Sequence, residues 1–187
     1  MTPTVFFAIA TAGWTVSNEA DGCTYYKGAP EGDITPIRVE CDWTDVDAGK
    51  MHRLLARPGN HDGVFGGLSE ADVVAEQGAL SRVYQRFAAR GMSDREVVVE
   101  YSTSSVDGGK RYRWRKAKDQ SDLRGDAVEV PATSGLWEVT EEGEHVRLTY
   151  ELRMKVGGMV PSFAMKWFQT GAIQNTINEL KARVLKD

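Results

Sequence analysis

The stretch from His145 to the C-terminus constrains the fold most. Between His145 and Lys155, Val146, Leu148, Tyr150, Leu152 and Met154 fall on one side, and Arg147, Thr149, Glu151 and Arg153 on the other. A period of two predicts a strand with one apolar face and one wet face. Gly157-Gly158-Met159-Val160-Pro161 interrupts that pattern. Beyond it, Phe163, Trp167, Ile173, Ile177, Leu180 and Val184 recur at three- and four-residue steps, the spacing of one stripe on a helix. A one-sided sheet running into one long one-sided helix predicts a sheet wrapped around that helix, a shape able to enclose an apolar guest.

The chain has 187 residues, enough for one domain with a substantial core. Its net charge of −4 comes from interleaved acids and bases. That leaves no basic footprint for nucleic acid and no polybasic patch for anionic lipid heads, though transient membrane contact stays open. The longest apolar run, Val5–Ala10, is far too short to span a bilayer. Phe6-Phe7-Ala8-Ile9-Ala10 resembles a signal-peptide core, but no Lys or Arg precedes it. The leader Met1–Gly13 is therefore expected to be a short helix or strand packed on the domain, with a cleaved signal as the alternative. Cys23 and Cys41, on neighbouring early strands, are expected to be reduced and the chain cytoplasmic, with a bridge between them as the alternative if the chain is exported.

Turn residues divide the rest. Strands are expected at Trp14–Asn18, Cys23–Lys27 and Pro36–Trp43, then a helix at Asp45–Leu55 capped by Thr44 or Asp45. A loop at Pro58–Gly63 precedes strands at Val73–Gln77, Leu80–Phe87, Arg95–Ser102, Lys110–Lys116 and Thr133–Val139. Asp107-Gly108-Gly109 is a strong hairpin signal. Ala117–Val130 reads as an irregular surface connection. Alternation points Arg95, Val97, Val99, Tyr101, Tyr112 and Trp114 inward. It puts Glu96, Glu100, Arg82, Arg86, Arg111, Arg113 and Arg115 on a solvated outer charge lattice.

The order of elements and two motifs resemble the START (steroidogenic acute regulatory related lipid transfer) group of the Bet v 1-like helix-grip superfamily. Ser93-Asp94-Arg95-Glu96-Val97-Val98 is similar to that family's Ser-x-Arg-Asp-aromatic-Val strand, with Glu96 in place of the aspartate and Val97 in place of the aromatic. Gly157-Gly158-Met159-Val160-Pro161 is similar to its Gly-Gly-x-x-Pro lead into the closing helix, and Trp137 and Met154-Lys155-Val156 fit as well. The resemblance runs from Trp14 to Leu185. It implies an α+β helix-grip fold, with a curved antiparallel sheet gripping a long C-terminal helix and short helices after the third strand. It also implies a tunnel for one hydrophobic molecule, no metal and no cofactor. The acidic and basic pair of sterol-binding members falls on Arg82 and Tyr101, so a sterol is not indicated.

These readings converge on residues 1–187 as one lipid-binding domain, a carrier or sensor rather than an enzyme. Its expected ligand contacts are Arg95, Val97, Val99, Tyr101, Tyr112, Trp114, Trp137, Tyr150, Met159, Phe163, Trp167 and Gly171. Arg95 is suited either to grip a polar headgroup or to hold strands together. The aromatic set either lines a tunnel or fills a core. Two rivals remain: an aromatase/cyclase-type enzyme on the same fold, for which Gln85, Tyr101 and Tyr150 are the inward polar candidates, and a ligand-free interaction module. His52, His61 and His145 have no metal-ligand spacing and are expected at the solvated surface.

Overall fold

The computed structural model describes residues 13–88, 91–158 and 171–186. Ten strands form one sheet: β1 (Trp14–Ala20), β2 (Cys23–Gly28), β3 (Ile37–Trp43), β4 (Leu68–Gln77), β5 (Leu80–Phe87), β6 (Arg95–Val106), β7 (Gly109–Lys116), β8 (Val128–Glu129), β9 (Ala132–Glu142) and β10 (His145–Lys155). Their order is β1-β2-β3-β10-β9-β7-β6-β5-β4, antiparallel throughout, with the short β8 alone running parallel to β6. Helix α1 (Ala48–Leu55) follows β3, and helix α2 (Gly171–Lys186) closes the chain. The expected leader, and the hinge and helix residues Met159, Phe163 and Trp167, lie outside the described residues.

One face of the sheet and both helices share a single apolar core. It joins Val39 and Trp43 of β3, Met51 and Leu55 of α1, Val83, Val97, Val99 and Tyr112 of the middle strands, Leu148 of β10, and Ile173, Ile177, Leu180 and Val184 of α2. The described part of the stripe read from the sequence, Ile173, Ile177, Leu180 and Val184, is thus the face α2 turns to the sheet. Asp47, not Thr44 or Asp45, caps α1: its side chain accepts from the Lys50 N–H at 2.7 Å, so the helix begins later than expected. Asp45 instead pairs with Lys181 of α2 at 3.0 Å and ties the two helices together.

Cys23 and Cys41 stand opposite each other in the β2–β3 register and are joined by a disulfide, correcting the expectation of free thiols. Directly opposed cross-strand side chains are near enough to bridge without backbone movement.

The outer face departs from the expected open charge lattice. Strand β7 pairs with β6 only from Val99 onward, which leaves Arg95–Val98 of β6 without β7 on that side. The segment between β7 and β9 supplies the missing partners. Ala117 N–H donates to Val98 O, the Gln120 side chain both accepts from Val98 N–H and donates to Val98 O, and Val128 and Val130 N–H donate to Asp94 O and Glu96 O. The same segment covers the outward side chains. Glu96 is therefore buried, and its carboxylate accepts from Tyr84 Oη, Arg124 N–H and Gly125 N–H. Arg82 pairs with Asp119 and Asp122, Arg86 with Asp94 and Asp126, and Arg124 with Glu70 and Asp72. The irregularity of this connection was legible, but its role as a second layer over β5 and β6 was not.

Candidate ligand-binding cavity

Sheet and closing helix do not meet solidly. Between them lies a cavity of about 670 Å³. Its wall on β7, β9 and β10 carries Trp114, Trp137, Tyr150, Leu152 and Met154; β5 and β6 add Gln85, Phe87 and Tyr101. The loop before β4 contributes His61, Phe65 and Gly66, β4 itself begins with the lining residue Leu68, and α2 contributes Ala172, Ile173 and Thr176. The opening is bordered by Asp33, Lys155, Gly157 and Gly158, where Lys155 Nζ meets the exposed Asp33 carboxylate at 2.8 Å.

Register explains the aromatic wall. Tyr150 stands opposite Trp137, and Trp114 opposite Gly135. Ring centroids are 4.1 Å apart for Trp137 and Tyr150, 5.9 Å for Trp114 and Tyr150, and 5.2 Å for Phe65 and Trp137. Gly135 permits the Trp114 ring to lie across β9: a Cβ there would sit 2.2 Å from Trp114 Cζ2 and 2.3 Å from Glu151 O. These rings bury large apolar area yet leave, among the described residues, an uneven wall with space in front of it.

The loop at 61–68 is fastened at both ends. His61 Nε2 lies 3.2 Å from Leu54 O at the end of α1, and the Gly66 N–H donates to Thr176 Oγ1 of α2 at 3.1 Å. Contrary to the expectation of a surface residue, His61 is 2% exposed, with Phe65 and Tyr101 rings edge-on to it. Burial lowers its pKa to about 4, against the smaller raising effect of the Leu54 and Leu55 carbonyls, so the imidazole is neutral. Tyr101 donates its hydroxyl to Leu55 O at 2.7 Å, and burial, aided by Tyr112, holds its pKa well above the ordinary value. Burial raises Tyr150 in the same direction. His52 is likewise half-withdrawn from water, its Nδ1 3.0 Å from Tyr112 Oη, while His145 stays exposed beside Asp42.

Of the residues picked from the sequence, Tyr101, Trp114, Trp137 and Tyr150 line the cavity. Val97, Val99 and Tyr112 are fully buried in the core behind it, and Gly171 sits at the start of α2 outside the lining. Arg95 is also buried and outside the lining. It donates from Nη1 to Ser93 O and from Nη2 to Gly157 O at 3.2 Å, leaves Nε without a partner, and pairs with no carboxylate among the described residues. Burial lowers its pKa, and Asp94 partly offsets that. The guanidinium thus holds the turn at the opening from behind. Gly157 has φ of +76°, and a Cβ there would lie 2.6 Å from Pro131 Cδ, so this turn demands glycine on both counts. Sequence reading missed His61, Phe65 and Gly66; an isolated phenylalanine inside a Gly-rich loop was the one available signal.

No family model matches the sequence, and no curated protein matches it. Solved structures do. The STAR-related lipid transfer protein of Xanthomonas axonopodis superposes with a TM-score of 0.80 at 20% identity, over 94% of this chain and 99% of that one. Human STARD10 superposes with a TM-score of 0.82 at 15% identity, over 95% of this chain and 75% of that one. The Zhui aromatase/cyclase of Streptomyces sp. R1128 matches with a TM-score of 0.57 at 12% identity, over 81% of this chain and 93% of that one. The chain has the START helix-grip fold, as its motifs led one to expect. Among the described residues, no helix is long and apolar enough to cross a membrane.

Proposed function

We propose that this chain, acting as one domain, binds a single hydrophobic, lipid-like molecule between its sheet and α2, as a carrier or sensor and without a cofactor. The observation that carries the reading is the cavity of about 670 Å³ with its wall of Trp114, Trp137, Tyr150, Leu152 and Met154. An apolar guest displacing water there gains about 25 cal/mol per Å² buried, before the costs of immobilisation. Two of the similar structures are named for lipid transfer or belong with the STARD proteins, which supports the same class of guest. The proposed contacts are Tyr101, Trp114, Trp137 and Tyr150, backed by Val97, Val99 and Tyr112, with Arg95 fixing the turn at the opening. Met159, Phe163, Trp167 and Gly171 stay in the proposal on sequence grounds, as the hinge and helix that close the tunnel. The Cys23–Cys41 bridge favours an oxidising compartment over the cytoplasm expected from the sequence, since cytosolic thiols are kept reduced.

Native mass spectrometry and lipid extraction of the purified protein test this directly. A recovered lipid that is lost in Leu152→Trp, with the circular dichroism spectrum kept, supports the carrier. Protein that returns no lipid and moves none between liposomes refutes it.

The similarity to an aromatase/cyclase keeps one second reading in view, because His61 and Tyr150 offer a neutral base and a phenol inside the same cavity. Replacing Tyr101 and Tyr150 by Phe separates the two: an enzyme loses turnover, whereas a carrier keeps most of its affinity.

A further inference from the structure

The inner end of the cavity presents acceptors rather than charges. His61 Nε2 faces the Leu54 carbonyl, which can only accept, so the ring proton sits on Nε2. In the neutral ring Nδ1 then carries a lone pair, and no protein donor reaches it among the described residues. Tyr101, with its ring centroid 5.8 Å from that of His61, has already given its proton to Leu55 O. It has only an oxygen lone pair left to offer. The Gln85 side chain also lines the cavity, has no hydrogen-bond partner among the described residues, and can donate or accept.

Among the described residues, no free positive charge lines the same surface. Lys155 stands at the opening, engaged by Asp33, and Arg95 lies outside the lining with Nη1 and Nη2 spent on backbone carbonyls. Against the described residues, a carboxylate or phosphate at the inner end would face lone pairs and no cation, and burying an uncompensated charge is strongly unfavourable. A group with no polar atom would leave Nδ1 desolvated and unpaired, also at a cost.

We propose that the bound molecule is uncharged at its inner end and carries a hydroxyl or amide N–H there, donated to His61 Nδ1. This rests on the hydrophobic-guest reading and narrows it from any lipid to an alcohol or amide buried head-first. A ketone, an ether or an ionised fatty acid of the same length fits less well at His61, because each brings only acceptors to Nδ1, although Gln85 and the Tyr150 hydroxyl can donate elsewhere on the wall.

Isothermal titration calorimetry of the full chain with 1-decanol, decyl methyl ether and decanoate at pH 7.5 tests it. The expected order is decanol first, with the ether and the carboxylate each weaker by about tenfold or more, the fold-change of one buried hydrogen bond of about 1.4 kcal/mol. In His61→Phe, decanol is expected to fall to the affinity of the ether. Equal binding of decanol and ether by the unaltered protein overturns the inference, and so does decanoate binding tighter than decanol. Either result leaves the hydrophobic-guest reading standing, since a guest has bound. If none of the three binds, both readings fall together. The wild-type series decides the matter even if the His61 variant does not fold.

Discussion

Thr176→Val should loosen the closure between α2 and the loop at 61–68 while nearly keeping the shape of the cavity wall, to which Thr176 contributes. Thr176 is 6% exposed, and its hydroxyl accepts from the Gly66 N–H at 3.1 Å while donating to Ala172 O at 2.9 Å. Valine keeps the shape and removes the acceptor. A Cβ on Gly66 would lie 2.9 Å from Ala172 O, so loop and helix are in contact and water has little room to replace the lost partner. An N–H left desolvated and unpaired costs about 1–3 kcal/mol. If that contact exists only in the closed form, its whole cost falls on the closed state. Release of a bound guest should then speed up by roughly 5- to 150-fold, at tenfold per 1.4 kcal/mol. Stopped-flow transfer of a fluorescent lipid from the loaded protein to excess acceptor vesicles measures that rate directly, and urea unfolding measures the global change. A variant that loses the expected stability but releases its guest at the wild-type rate refutes the idea that this contact closes the cavity.

Acid should weaken the fold through His61. Its folded pKa of about 4 lies below the ordinary 6.5, so the unfolded chain takes up the proton first. Stability contributed by this residue is complete above pH 6.5 and declines as pH falls towards 4, by roughly 3 kcal/mol in all. The neighbouring Tyr101 stays protonated throughout this range and adds nothing. Urea midpoints at pH 7, 6 and 5 should fall in the wild type and stay nearly flat in His61→Gln. Reducing the Cys23–Cys41 bridge, which closes a loop with a sequence separation of 18, should cost about 3 kcal/mol and lower the melting temperature by roughly 6–12 °C. An unchanged melting curve in strong reductant would count against any stabilising role for the bridge. Glu96→Ala strips partners from Tyr84, Arg124 and Gly125 and should cost about 3 kcal/mol or more. Faster proteolysis between Ala117 and Val130 should accompany that loss.

Strand boundaries were legible wherever one face is wet. Leu80–Phe87 and His145–Lys155 came out as the alternation said, because a period of two survives when a single layer covers the sheet. Val97-Val98-Val99 breaks that period, since both faces of β6 are covered there; the second cover comes from a polar segment that no periodicity announces. The same blindness affected the cavity. Trp114, Trp137 and Tyr150 lie on strands and followed from facing, whereas His61 and Phe65 belong to a loop whose course is set by bonds to Leu54 and Thr176, distant in sequence. Arg95 was found as an inward residue, but only coordinates reveal that backbone carbonyls take up its Nη1 and Nη2. The disulfide depended on which residues of β2 and β3 stand opposite, and composition cannot fix a register.

The aspartates of the 117–130 segment give the molecule one heavily braced flank. Arg82 and Arg86 of β5 are cross-braced to Asp119, Asp122 and Asp126, and Arg124 is strapped to Glu70 and Asp72 of β4. Spreading the strands on that flank means breaking several ion pairs at once. For a guest bound as proposed, entry is then expected at the far rim, where the Lys155–Asp33 pair and the Arg95 bond to Gly157 O are the few ties to break.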